Sequence, residues 1–108
     1  MPGAAIIVLT TLPDREAAEA LARTLLAGRL AACVNVGASV ESMYHWRGQI
    51  ETAEEVPVAI KTRTERYAEV EAAIRAQHPY ELPEILAVPV VRGLEPYVEW
   101  IVAETAAN

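Results

Sequence analysis

His78, Tyr80, Glu81 and Glu84 bring one imidazole, one phenol and two carboxylates into the seven residues His78-Pro79-Tyr80-Glu81-Leu82-Pro83-Glu84. An imidazole with carboxylates can ligate a borderline or hard divalent ion, or trade protons as an acid–base pair. Each proline fixes its own φ and pushes the residue before it toward extended backbone, so His78 and Leu82 stay out of helix and the segment reads as a stiff connector. Binding residues are often mounted on such connectors, because a rigid scaffold positions them. A plainer role also fits: a helix stop and a strand start, with His78 complementing the dipole at the helix C-terminus and Glu84 simply solvated. One imidazole and one or two carboxylates make a poor cage within a single chain, so a useful metal site needs groups from a neighbouring subunit.

Other chemistries lack their parts. The single cysteine, Cys33, excludes an internal disulfide framework and an all-cysteine zinc site. It lies in the run Ala31-Ala32-Cys33-Val34, where a thiol behaves as a small hydrophobe, with no electropositive neighbour in sequence to activate it. Ser39 and Ser42 have no recognisable His–acid partners. Thr10-Thr11-Leu12-Pro13-Asp14, after the first apolar run, has no glycine with which to cradle a phosphate. Tyr44 and Trp46 alternate with His45, which places the aromatics on one strand face as packing groups and His45 on the other, exposed or at an interface.

The elements that must hold the connector follow from periodicity. Residues 4–10 form a β-branched apolar run that suits a buried strand. Asp14 is a good N-cap, Ala18, Leu21, Ala22, Leu25 and Leu26 repeat at helical spacing, and Gly28 suits the position after the helix, predicting a helix over 14–27. Alternation over 32–47, with Val34, Val36, Ala38, Val40, Ser42, Tyr44 and Trp46 on one face, predicts one long strand bent at Gly37. Arg47-Gly48-Gln49 turns the chain into a second strand over 50–62, where Pro57 implies an edge or a bulge. Thr64 is read as the cap of a helix over 65–77 with Tyr67, Val70 and Ile74 buried. A strand over 84–91 follows the connector, and a last helix is entered through Pro96 with Leu94, Tyr97, Val98 and Ile101 as its stripe.

The resulting order, β-α-β-β-α-β-α, is an α+β, ferredoxin-like β-α-β-β-α-β arrangement with an extra C-terminal helix and a long central β-hairpin. The chain has 108 residues, which predicts one domain over 1–108. Apolar residues make up 53% of it, and a bare sheet face with an overhanging hairpin points to self-association. A net charge of −6 without a basic stripe argues against nucleic acid as a partner. Ala4–Leu9 lacks the basic flank and length of a signal peptide, and no run approaches the ~20 apolar residues of a membrane span, so no membrane partner and a cytoplasmic location are expected.

Leu30-Ala31-Ala32-Cys33-Val34-Asn35-Val36, Ser42-Met43-Tyr44-His45-Trp46-Arg47-Gly48, Lys61-Thr62 and His78–Glu84, with Gly93, Tyr97 and Trp100 beyond them, resemble the CutA family of divalent-cation tolerance proteins in order and over nearly the whole chain. The resemblance implies a ferredoxin-like homotrimer similar in architecture to PII signalling proteins. It implies subunit clefts walled by the hairpin of one chain and the His-Pro-Tyr connector of another. It also implies a non-enzymatic role in metal tolerance, with copper or zinc as a divalent ligand. Copper-binding members can place a cysteine where this chain has Thr10 and a second histidine where it has Gln77, which leaves His78 and Glu84 as the carried-over metal ligands. Two other readings stand beside this one: a PII-like sensor holding a small molecule in the clefts, and an enzyme using His78 and Glu84 as an acid–base pair.

Overall fold

The computed structural model describes residues 4–106, and among them the chain alternates strands and helices as the periodicity demands. Strand β1 (Ala5–Leu12) leads through Pro13 and Asp14 into helix α1 (Arg15–Ala27). Asp14 caps α1, its Oδ1 accepting from the Ala17 amide at 2.8 Å, which satisfies one of the free N–H groups of the first turn. Gly28 closes the helix with φ −86, and the left-handed residue is Arg29 at φ 57, one position later than the sequence suggests.

The long strand expected over 32–47 is two strands, β2 (Cys33–Val36) and β3 (Val40–Trp46), both antiparallel to β4 (Gln49–Arg63). Val36 faces Val58 and Val40 faces Glu55, so residues 37–39 lie opposite only 56–57. One side therefore has an extra residue, which is a β-bulge. Pro57 explains its position. Pro57 lacks an N–H, its carbonyl accepts from Gly37 N at 2.9 Å, and the bulge falls opposite it. Of the two readings of Pro57, the edge is wrong and the bulge right, because β4 lies inside the sheet in the order β2-β4-β1-β5. The extra residue also inverts the phase. Val34 and Val36 pack toward the helices, whereas Val40, Ser42, Tyr44 and Trp46 share the opposite face with Glu55, Ala53 and Glu51. The single face expected for Val34 through Trp46 is thus split at the bulge.

Three further boundaries move. A 3-10 turn, Thr64–Arg66, precedes helix α2 (Tyr67–Gln77), and Thr64 caps nothing: its hydroxyl and amide both reach the Ala4 carbonyl, at 3.1 and 2.9 Å. The strand after the connector, β5, is only Leu86–Pro89, because it pairs with β1 alone and only from Ile6 to Leu9. Helix α3 (Glu95–Glu104) has proline in its first turn, yet of its expected stripe only Ile101 is buried; Leu94 and Tyr97 are exposed.

The core lies between one sheet face and α1 with α2. Ile6, Val8 and Leu12 from β1, and Val56, Val58 and Ile60 from β4, meet Ala18, Leu21 and Leu25 of α1 and Val70 and Ile74 of α2. Each large aliphatic side chain buried there contributes about 1.5–3 kcal/mol of transfer free energy. This is the expected split β-α-β, ferredoxin-like arrangement, with α1 and α2 on one face of an antiparallel sheet ordered β2-β4-β1-β5. On the opposite sheet face the hairpin and the connector approach each other.

Candidate functional site

Helix α2 stops because residue 79 is proline. His78 N still donates to Ile74 O at 2.8 Å, and then the backbone turns extended at φ −80, ψ 132. The imidazole is 9% exposed and both its nitrogens are engaged. Nε2 lies 2.6 Å from the Thr11 carbonyl oxygen, which can only accept, so Nε2 carries the proton. Nδ1 is then bare and accepts the Tyr80 amide at 3.2 Å. His78 is therefore neutral in this arrangement and clips the connector to the end of β1. The Tyr80 ring leans on it, centroid to centroid 4.7 Å.

Tyr80 reaches toward β4, where its phenol comes under the influence of the Glu55 carboxylate. Burial raises the affinity of this phenol for its proton, and the Glu55 carboxylate, then Tyr44 and Asp14, push it further above the ordinary tyrosine value. Glu55 itself is 9% exposed, an uncommon degree of burial for a carboxylate. Between β3–β4 and the connector opens a cavity of about 800 Å³. Its walls carry the aromatics Tyr44, Trp46 and Tyr80 and the carboxylates Glu55, Glu81 and Glu84, with His45 and Thr11 beside them. The type of turn that closes the hairpin is set by Arg47 at φ 52 and Gly48 at φ 78, both left-handed. This turn lays the Arg47 guanidinium 5.4 Å from the Trp46 ring centre and 3.2 Å from Glu81 Oε1, tying the hairpin tip to the connector.

The structure separates the two residues that the sequence joins. Glu84 is exposed on the cavity wall, whereas His78 is absent from the lining and has no free lone pair. An acid–base pair of the two has no geometric support. Thr10 and Gln77 also point elsewhere. Thr10 is buried on the helix-facing side of β1 with its hydroxyl unpartnered, and Gln77 Nε2 donates to Thr24 Oγ1 of α1 at 2.9 Å. Among the described residues no three His, Cys, Asp or Glu side chains are grouped so as to hold a metal ion. Within this one chain the hairpin and its own connector already wall a cavity.

Sequence reasoning missed Glu55 and took Tyr44 and Trp46 for packing. A signal for Glu55 existed: Val56, Val58 and Ile60 alternate toward the core, so the residue before Val56 must face the other way. No local signal revealed the aromatics, because their face depends on the bulge.

The family model described as CutA1 divalent ion tolerance protein matches residues 6–104. The Divalent-cation tolerance protein CutA of Archaeoglobus fulgidus is 43% identical over 94 residues, covering 87% of this chain and 91% of that protein. Protein CutA of Mus musculus is 37% identical over 110 residues, and there the chain spans only 62% of the relative's length. Among solved structures, CutA1 from the psychrotrophic bacterium Shewanella sp. SIB1, described as a stable protein, superposes with a TM-score of 0.93 at 37% identity, covering 99% of this chain and 100% of that one.

Proposed function

This chain belongs to the CutA1 divalent ion tolerance family, and from that premise we propose that it acts in divalent-cation tolerance as a non-enzymatic, metal-responsive homotrimer. The observation that carries the reading is an acidic cavity with an incomplete donor set: Glu55, Glu81 and Glu84 line it, but no described group completes a cage. Copper or zinc drawn to such a wall takes its remaining ligands from an adjacent subunit. Glu84 is the proposed ligand that this chain offers. His78 joins it only by releasing the Tyr80 amide, so its proposed part is mainly to hold the connector in place.

The trimer also gives the open sheet face a cover. Leu86 and Val88 of β5, beside Ile7 and Leu9 of β1, form an apolar stripe with Leu86 57% and Val88 41% exposed. Burying such a stripe is a usual driving force for self-association. The cytoplasm is the proposed location, supported by an unpaired lone cysteine, which suits a reducing compartment.

Titration calorimetry of metal-free protein with Cu²⁺ and Zn²⁺, run beside light scattering of the same sample, tests the reading. The expected result is saturable heat at a stoichiometry tied to the trimer and lost with it. No heat from any divalent ion below about millimolar concentration, where binding free energy drops under about 4 kcal/mol, sinks it. A second reading, a PII-like sensor of a small molecule, is favoured by one feature: a cavity of about 800 Å³ with aromatic walls exceeds what a bare ion fills.

A further inference from the structure

The walls of the cavity divide into two ends. At the hairpin tip, Trp46 and Glu81 are already served by a cation, because the Arg47 guanidinium lies over the indole and pairs with the carboxylate. The chain accepts a left-handed backbone at Arg47, φ 52, in making this contact. The surface thus displays its own preference within one molecule: a π face and a carboxylate together around a positive group.

At the sheet end the same pair of features recurs without the cation. Glu55 is nine-tenths buried beside Tyr80, and among the described residues no ion pair satisfies it. Tyr44 and Tyr80 flank it, and among the described residues His45 is the one basic side chain on the lining itself, Arg47 reaching only the tip. A carboxylate so largely covered is favoured by a cation beside it, and none of the described residues supplies one here. The raised proton affinity of Tyr80 has the same origin, since burial and negative neighbours surround it with no positive charge to offset them. A hard ion such as Ca²⁺ or Mg²⁺ does not fit this end, which offers one carboxylate and two phenols where such an ion takes roughly six oxygen ligands. A cation with a carbon body fits it, with methylenes against the rings and the charge on Glu55.

We propose that the sheet end of this cavity binds a small organic ammonium ion, its charge paired with Glu55 and its alkyl body resting on Tyr44 and Tyr80. This inference rests on the reading of the cavity as the responding site, and it names a second class of ligand for it. Arg47 then acts as a resident cation that confines the incoming one to the sheet end.

The test is calorimetry on the full-length, metal-free protein at low ionic strength near pH 7.5, with butane-1,4-diamine, tetramethylammonium, the neutral butane-1,4-diol and Zn²⁺ as separate titrants. Both ammonium ions are expected to bind saturably and the diol not to bind. Glu55→Gln, which keeps the shape and removes the charge, is expected to weaken diamine binding by roughly tenfold or more. Since Glu55 is buried and its variant can perturb the fold, Tyr44→Leu on the exposed wall gives a second reading; it removes a π face and is expected to weaken tetramethylammonium binding severalfold with little change in melting temperature. The proposal is overturned if the diol binds as well as the diamine, if neither ammonium ion gives saturable heat, or if both variants keep wild-type affinity. Zn²⁺ binding without ammonium binding refutes this inference and leaves the metal reading intact; ammonium binding without any divalent ion does the reverse.

Discussion

His78 works as a clip whose two nitrogens make opposite kinds of hydrogen bond: Nε2–H to the Thr11 carbonyl and Nδ1 from the Tyr80 amide. His78→Ala strands both partners, and buried groups left unpaired cost about 1–3 kcal/mol each way of counting. A loss of that size in urea unfolding, with faster amide exchange at Tyr80, is the expected outcome; unchanged exchange at Tyr80 contradicts the clip. Tyr80 gives a pH prediction. Its phenol is held above the ordinary value, first by burial and then by Glu55, so the native state keeps its proton where the unfolded chain has lost it. Stability from this group is complete below about pH 10 and is lost as pH rises through the higher native value. The tyrosinate absorbance difference between wild type and Tyr80→Phe should show this residue titrating later than a free tyrosine. The sequence placed His78 at the end of its helix and stiffened the connector through Pro79 and Pro83, as observed. It did not reveal the destination of the ring, because Thr11 is 67 residues away and only the closed sheet brings it near. Glu55 was hidden for a similar reason: a carboxylate in an alternating strand reads as solvated until something is seen to cover it.

At the scale of elements, the hairpin decides what the cavity contains. β3 and β4 are joined by a turn in which Arg47 and Gly48 both take positive φ, 52 and 78. Gly48 carries no Cβ, and an added one meets nothing within 4 Å, so its substitution is opposed by backbone conformation alone. Gly48→Ala is therefore expected to destabilise the protein by about 1 kcal/mol, read as a lower midpoint in thermal unfolding, and to loosen the Arg47–Glu81 contact at the tip. A midpoint equal to that of wild type means the turn relaxes to another type. Alternation made both strands legible, and Pro57 marked the irregularity. What alternation cannot report is a change of phase. Val34 and Val36 on the helix side and Tyr44 and Trp46 on the other look like one stripe until the pairing shows residues 37–39 set against 56–57.

For the whole molecule, the strand order β2-β4-β1-β5 buries one sheet face under α1 and α2 and leaves the other to the hairpin, the connector and α3. The placement of both main helices on one face was legible because right-handed crossovers leave few alternatives. A bare sheet face was expected, and Leu86 and Val88 lie exposed on it; the exposure of Leu94 was not legible, since a helical pattern tells which side is apolar and not whether this chain covers it. Leu86 is 57% exposed on the short edge strand β5. Leu86→Lys places a charge in the proposed subunit contact, a standard way to block edge association. Light scattering is expected to move from the mass of three chains toward that of one, 11.7 kDa, with the far-UV dichroism of the fold retained. A variant that stays at the wild-type mass removes β5 from the interface.

The bulge at Gly37 separates the length of the crossing segment from the identity of the cavity wall. β3 is registered on β4 from the other end, by the two left-handed residues Arg47 and Gly48, which set Tyr44 opposite Glu51 and Trp46 opposite Gln49. Residues 37–39 only join β2 to β3 across Val56 and Pro57. A residue added or removed there is expected to change the size of the bulge and leave the aromatic wall in place, whereas a slip of one residue at the turn presents the opposite face of β3 to the cavity. Natural variation in length is accordingly expected at 37–39 and not at 47–48.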